Sequence, residues 1–224
     1  MRFKELISET PLPADWDRSQ FVSANTTFKS RLAYAVDRAK KIGAGSSRVA
    51  MTIEYENRPT VLKVAKNKKG LAQNKAEIDI LSDGYARQMS ILIPLIDYDK
   101  ENNPPVWLQT ELAQKVSEKT LCNLLGIGSL RGLVSLANYI AMPDKQGRMA
   151  YDRIFDNLQQ SGKTEKEIDN IIDYANNLAE LQQSFNIELS DLSRAANWGL
   201  YRNTPAIIDV GFSSDVRKDH YSGK

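Results

Sequence analysis

The feature that most constrains this chain is an order of separated signals. A glycine-rich stretch, Ile42-Gly43-Ala44-Gly45-Ser46-Ser47, precedes a β-branched run carrying one lysine, Val61-Leu62-Lys63-Val64-Ala65. A helical segment with Glu77 follows, and far downstream come a polar stretch from Asp191 to Asn197 and an apolar run ending in acid and glycine, Ile207-Ile208-Asp209-Val210-Gly211. Each has a local physical meaning. Gly43 and Gly45 let the backbone turn sharply and approach an anion without a side chain in the way, while Ser46 and Ser47 add hydroxyl donors. Apolar neighbours on a strand hold the Lys63 ammonium inward, although a strand lysine is ordinarily a solvated edge residue. Asp209 ends a buried strand ahead of a flexible glycine, a place where an aspartate also serves to cap the next turn.

The hydrophobic periodicity changes along the chain. Residues 1 to about 22 read as an irregular arm. From Asn25 to Lys40 the apolar positions Phe28, Leu32, Ala35, Val36 and Ala39 predict a helix, with Asn25 and Thr26 as its capping pair. Val49 to Tyr55 and Thr60 to Ala65 predict a hairpin around Glu56-Asn57-Arg58-Pro59. Leu71, Asn74, Ile78 and Leu81 mark a helix that places Glu77 one step off its apolar stripe, with Asp79 as a nearby alternative carboxylate. Ile91 to Tyr98 and Val106 to Leu112 predict two more strands. Helices follow over Leu130 to Ile140, Tyr151 to Leu158 and from Thr164, where Thr164 and Glu167 have capping-box spacing, to Phe185. Asp191 to Gly199 reads as a polar loop and Pro205 to Gly211 as a short buried strand. The fold class is α+β: a small, antiparallel-sheet first lobe and a helical second lobe, with boundaries at 1–22 for the arm, 23–113 and 114–224.

Composition removes several function classes. A chain of 224 residues with 42% hydrophobic and 26% charged residues buries a substantial core, and a net charge of +2 gives no general nucleic-acid binder. Cys122 is the lone cysteine, which excludes a cysteine-rich zinc site and an intrachain disulfide, and His220 is the lone histidine and lies almost at the end, which disfavours a histidine-dependent triad or a multi-histidine metal site. No segment approaches the roughly 20 apolar residues of a membrane span. A reducing, cytoplasmic setting fits the cysteine usage. Trp16, Trp107 and Trp198 are irregularly spaced and read as packing residues, and Lys66-Asn67-Lys68-Lys69 as a solvated turn.

Taken together and in order, the five signals resemble the nucleotide site of the protein kinase-like superfamily. The resemblance covers about residues 40 to 214. It implies that Gly43, Gly45, Ser46 and Ser47 cradle phosphates, that Lys63 touches the α- and β-phosphates, and that Glu77 holds Lys63 in position. It further implies that Asp191 accepts the proton of an acceptor, that Asn197 and Asp209 bind Mg²⁺, and that Glu111 and Leu112 present backbone groups to adenine. ATP and Mg²⁺ are the cofactors so implied.

Three departures from the pattern matter. The third glycine of the loop is Arg48, which is available to contact a phosphate itself; Leu189-Ser190 stand where histidine and arginine often precede the aspartate; and the interval from Asp191 to Asn197 is one residue too long. Asp191 is therefore either a proton acceptor or a turn aspartate. Too few residues follow Gly211 for the activation segment and peptide-binding subdomain of eukaryotic protein kinases, so the expectation is a reduced module with a truncated second lobe. General similarity to small viral proteins adds a bacteriophage origin and a host cytoplasm to what the resemblance implies. Two functions follow: an ATP- and Mg²⁺-dependent phosphotransferase of unknown acceptor, or a non-catalytic, pseudokinase-like protein that engages a host factor or viral assembly. A plain α+β interaction domain with accidental matches is the third alternative.

Overall fold

Side-chain alternation along two long strands sets the architecture. The computed structural model describes residues 16–24, 27–142 and 144–221. Strands β1 (Lys40–Ala44), β2 (Arg48–Tyr55), β3 (Arg58–Ala65), β4 (Leu95–Tyr98) and β5 (Trp107–Glu111) form one antiparallel sheet in the order β1-β2-β3-β5-β4. Val49, Met51 and Ile53 of β2 share one face with Leu62 and Val64 of β3. Together with Trp107 they pack against Phe21, Tyr34 and Ala35. Period-two alternation sends Val61 and Lys63 to the opposite face. The buried lysine thus follows from the same pattern that buries its apolar neighbours.

The outer face is covered by helix α1 (Phe28–Arg38) and a turn of wide helix at Gln20–Ala24. Residues 1–15 and the expected capping pair Asn25-Thr26 lie outside the described residues. The cap of α1 is Thr27, whose side chain accepts from the Ser30 N–H at 3.1 Å while the Ser30 hydroxyl accepts from the Thr27 N–H at 3.1 Å. Arg31 anchors α1 to the sheet edge. It is 1% exposed, donates to Asp99 at 3.0 Å and to the Val22 carbonyl at 2.9 Å, and reaches the exposed Glu101 at 3.2 Å.

Helix α2 (Lys68–Ser82) crosses to the inner face and contributes Ile78, Ile80 and Leu81 to a second core. That core is completed by α3 (Glu118–Leu125), α4 (Leu130–Ala141) and α6 (Glu165–Phe185), with α4 and α6 packed on each other. The capping box at Thr164 and Glu167 starts α6 as its spacing predicts. Helix α5 (Lys145–Gln160) starts earlier than Tyr151, behind Asp144 as its cap. A two-stranded ribbon of β6 (Trp198–Tyr201) and β7 (Thr204–Ile207) and a last helix, α7 (Ser214–Tyr221), follow. The architecture is therefore α+β and two-lobed, with a sheet-rich first part and a helical second part.

The sequence reading misses β1, α3, β6 and α7: the first helix ends at Arg38 rather than Lys40, and Lys40–Ala44, read as helix end and glycine loop, pairs with β2. The segment read as one strand from Ile91 is paired regularly only from Leu95; upstream of it, Ile93 donates to the Ile207 carbonyl at 3.0 Å and Ile207 to the Ile91 carbonyl at 2.7 Å. This bridge splices the first half of the chain to β7. Trp107 and Trp198 are core residues, as read from sequence. Lys68 and Lys69 belong to the first turn of α2 rather than to a free turn, with Asn67 as the cap. No single helix among the described residues is long and apolar enough to cross a membrane.

The Arg31 pair provides a stability test. Arg31→Met strands the buried Asp99 carboxylate and is expected to cost about 3 kcal/mol, whereas Glu101→Gln, at an exposed partner, is expected to cost under about 1 kcal/mol. Urea denaturation of both variants measures the difference.

Candidate functional site

The site is assembled from four elements around one carboxylate. Glu77 projects from α2 and is fully buried. Its Oε1 takes the Lys63 ammonium from β3, and its Oε2 takes Arg48 Nη1 from the start of β2 at 2.5 Å. Lys63 also donates to the Ile208 carbonyl at 2.5 Å, in the strand exit that leads to Asp209. Arg48 Nη2 reaches Asp209 Oδ1 at 2.5 Å, so the guanidinium bridges the two acids. Lys63, Glu77, Arg48 and Asp209 form one continuous ion network linking the sheet, α2 and the Asp-Val-Gly segment.

Among the residues singled out from sequence, Lys63, Glu77 and Asp209 come together. Asp79, the alternative to Glu77, is exposed and pairs with Lys75 on its own helix at 2.7 Å. Asp191 and Asn197 meet beside them: Asn197 Nδ2 donates to both the carbonyl and Oδ2 of Asp191 at 2.8 Å. The extra residue in their interval is absorbed by two successive 3-10 turns, Leu189–Ser193 and Ala195–Asn197. Trp198 Nε1 holds the first turn through the Leu192 carbonyl at 2.8 Å, and the Ile208 N–H holds Asn197 through its carbonyl at 2.8 Å.

The glycine loop differs from its expected form. Gly43 pairs with Ala50 and Ala44 with Val49, so the turn is confined to Gly45, Ser46 and Ser47. Ser47 is not a free donor, because its hydroxyl is given to Gln73 on α2 at 2.5 Å. The carbonyls of Gly45 and Ser46 are engaged by Lys66 Nζ at 2.9 Å and Asn67 Nδ2 at 3.0 Å. Glu111 lies away from this cluster: its N–H donates to the Pro94 carbonyl at 3.0 Å and its carboxylate pairs with Arg58. Leu112 follows it in the link to Gln114, which exchanges two 2.8 Å backbone bonds with Leu200.

The residue that sequence reasoning assigned least well is Arg48. The sequence leaves it available to a phosphate; in the structure its guanidinium meets both acids. The signal was the missing third glycine, and the room for it is made at Gly211. A Cβ there would lie 2.6 Å from the Gln73 carbonyl oxygen and 3.2 and 3.3 Å from the two terminal nitrogens of Arg48. Asn74, also fully buried, donates to the Pro105 and Val106 carbonyls at 3.2 and 2.8 Å and fixes α2 against the β4–β5 turn.

Electrostatics separate the two aspartates. Burial pushes both carboxyls up. At Asp209 the neighbouring charges of Arg48 and Lys63 outweigh it and bring the pKa down to about 2. At Asp191 burial prevails, the Asp209 charge adds to it, and the group stays above its ordinary value despite Arg194, Asn197 and Arg48. Burial lowers the Arg48 guanidinium, but Asp209 and Glu77 more than offset this and hold it well above its usual value. One acid is thus held as an anion, and the other binds its proton more tightly than an ordinary carboxylate.

The fit to Mg²⁺ is poor as the residues stand. Asp209 Oδ1 is occupied by Arg48 at 2.5 Å and by the Gly211 N–H at 3.3 Å, and Asn197 gives its Nδ2 to Asp191, so its amide oxygen is the atom through which it would meet a cation. Among the described residues no group of three or more His, Cys, Asp or Glu side chains is placed to hold a metal ion.

No protein-family profile and no curated protein matches the sequence. Among solved structures, the chain is similar to aminoglycoside phosphotransferase APH(4)-Ia, at 14% identity over 45% of this chain and 36% of that one, with a TM-score of 0.29. A thermostable mutant of that enzyme in ternary complex with ADP and hygromycin B matches at 15% identity over 39% and 30%, with a TM-score of 0.27. A further mutant, in complex with AMP-PNP and hygromycin B, matches at 16% identity over the same shares. The matched region thus spans about a third of the neighbours' own length. Overlap this limited adds no weight to the site, which rests on the strand order, the lysine and glutamate pair across β3 and α2, and the acidic segment after β7.

The two aspartates titrate in opposite senses. Asp209 has a depressed native pKa, so its contribution to stability is present above its unfolded value near pH 4 and is lost as pH falls toward 2. Asp209→Asn is therefore expected to lower Tm at pH 7, and its deficit to shrink on acidification. Asp191 has a raised native pKa, so ionising it opposes folding as pH rises. Asp191→Asn is expected to match or exceed the wild-type Tm at pH 7, with no advantage near pH 3. Thermal scans of the three proteins from pH 3 to 8 check both signs.

Proposed function

We propose that this protein binds ATP between the inner face of the sheet and the Asp191–Gly211 region, as a phosphotransferase of kinase-like fold. The observation that carries the reading is the Lys63–Glu77 pair, buried where an apolar pair would pack with less cost. Desolvating two charges usually exceeds their mutual attraction, so stability alone is a weak reason to keep them. A lysine fixed by a buried carboxylate beside a depressed-pKa aspartate is the arrangement that grips phosphates.

In this reading Lys63 orients the phosphates and Asp191 is the proton acceptor. As the acceptor hydroxyl oxygen bonds to the terminal phosphorus, its proton passes to a carboxylate oxygen of Asp191 and ADP departs with the broken bond's electron pair. The raised proton affinity of Asp191 suits that step, and the two Asn197 hydrogen bonds hold the carboxylate in one orientation. Mg²⁺ dependence is the part of the kinase expectation that the Asp209 geometry does not favour. That same geometry favours a second reading, a nucleotide-binding protein without transfer that acts through a protein partner.

Thermal unfolding with ATP tests binding, and transfer from γ-labelled ATP to the protein itself, lysate proteins and small alcohols tests chemistry. ATP at about 100 times its Kd is expected to add roughly 2.7 kcal/mol, and Lys63→Ala to remove most of that shift. Asp191→Asn is expected to keep the shift and to lower transfer by about 10²-fold or more. A folded wild-type protein with no ATP shift would sink the proposal; binding without transfer would select the second reading.

A further inference from the structure

Arg48 stands where a loop glycine is expected, yet its side chain does not point into solvent. It is buried, and each terminal nitrogen meets a different carboxylate at 2.5 Å: Nη1 on Glu77 and Nη2 on Asp209. Asn74 Oδ1 lies 3.5 Å from Nη1, and Gly211 provides the space that any side chain would fill. The position is thus built from three sides. Lys66 and Asn67 hold the loop carbonyls just before it, and Arg48 itself lies in register opposite Ala65.

Charge shows what this residue supplies. Lys63 and Arg48 balance Glu77 and Asp209, while Asp191 beside them pairs with Arg194 at 3.5 Å. Removing Arg48 would leave Lys63 alone against Glu77 and Asp209, a field that repels a polyphosphate unless a divalent cation comes with it. A guanidinium has five N–H donors, and the carboxylates leave some of them for phosphate oxygens.

We infer that Arg48 is the resident cation of the nucleotide site: its guanidinium holds the place on Asp209 that a divalent metal would take, so that a nucleoside triphosphate binds without one. The inference rests on the proposal that this site binds ATP. It adds a binding role for a residue that the glycine-loop pattern would have left empty, and makes the triphosphate alone the ligand class.

Isothermal titration with ATP, in excess EDTA and in excess Mg²⁺, tests it on the full chain. The wild-type Kd is expected to agree within about threefold between the two conditions. Arg48→Gly, with folding checked by far-ultraviolet circular dichroism, is expected to weaken binding in EDTA by about tenfold or more and to recover in Mg²⁺. Wild-type binding that needs Mg²⁺ by more than about tenfold overturns the inference while leaving the ATP proposal standing. A folded Arg48→Gly that binds equally well in EDTA overturns it too. Folded wild-type protein that binds under neither condition overturns the ATP proposal and this inference with it. Should Arg48→Gly not fold, the two wild-type titrations decide alone.

Discussion

The Glu77 carboxylate, buried with a cation on each oxygen, is the constraint on which the rest of the site depends. A carboxylate removed from water is expensive, and the cost is offset only when both oxygens are filled with good geometry. Here β3 supplies Lys63 and β2 supplies Arg48, so the hairpin register decides whether Glu77 can be buried at all. Through Arg48 the same group reaches Asp209, and through Lys63 it reaches the Ile208 carbonyl. Sheet, helix and acidic segment are thereby held to one another by charge rather than by apolar contact alone.

The outer core makes that arrangement possible. Because Leu62 and Val64 face α1 and the Gln20–Ala24 turn, Lys63 between them must face the other way, and a slip of one residue would put the ammonium against Phe21 and Tyr34. Arg31 and Asp99 brace this covering layer, with Asp99 also accepting the Val106 N–H at 3.0 Å at the start of β5. The layer on the outside of the sheet therefore fixes which side chains are presented on the inside.

Much of this was legible in the sequence where local rules and global fold agree. The Val61–Ala65 alternation, the Thr164–Glu167 capping box and the apolar stripe of α6 were readable because each is set by neighbours a few residues apart. The pairing of Lys63 with Glu77 came from resemblance and was met by geometry, burial excluding Asp79. What was not legible depended on distant partners. Ser47 reads as a free hydroxyl until Gln73 is placed 2.5 Å away, and Glu111 as a donor until Pro94 takes its N–H. β6 was hidden because Trp198-Gly199-Leu200-Tyr201 has no period of its own and gains strand form by pairing with β7. Arg48 is legible as a departure from the glycine pattern, but its destination depends on the room left by Gly211, about 160 positions away.

The way α2 is fastened has a mechanical consequence. A helix that carries the partner of a buried lysine can act as a switch by swinging a few ångströms away. In this chain such a swing would tear Asn74 from the Pro105 and Val106 carbonyls and expose Glu77 with two cations released. It would also open the contact at Gly70, where a Cβ would fall only 2.2 Å from the Ser47 carbonyl oxygen. Helix α2 is thus a fixed beam rather than a lever.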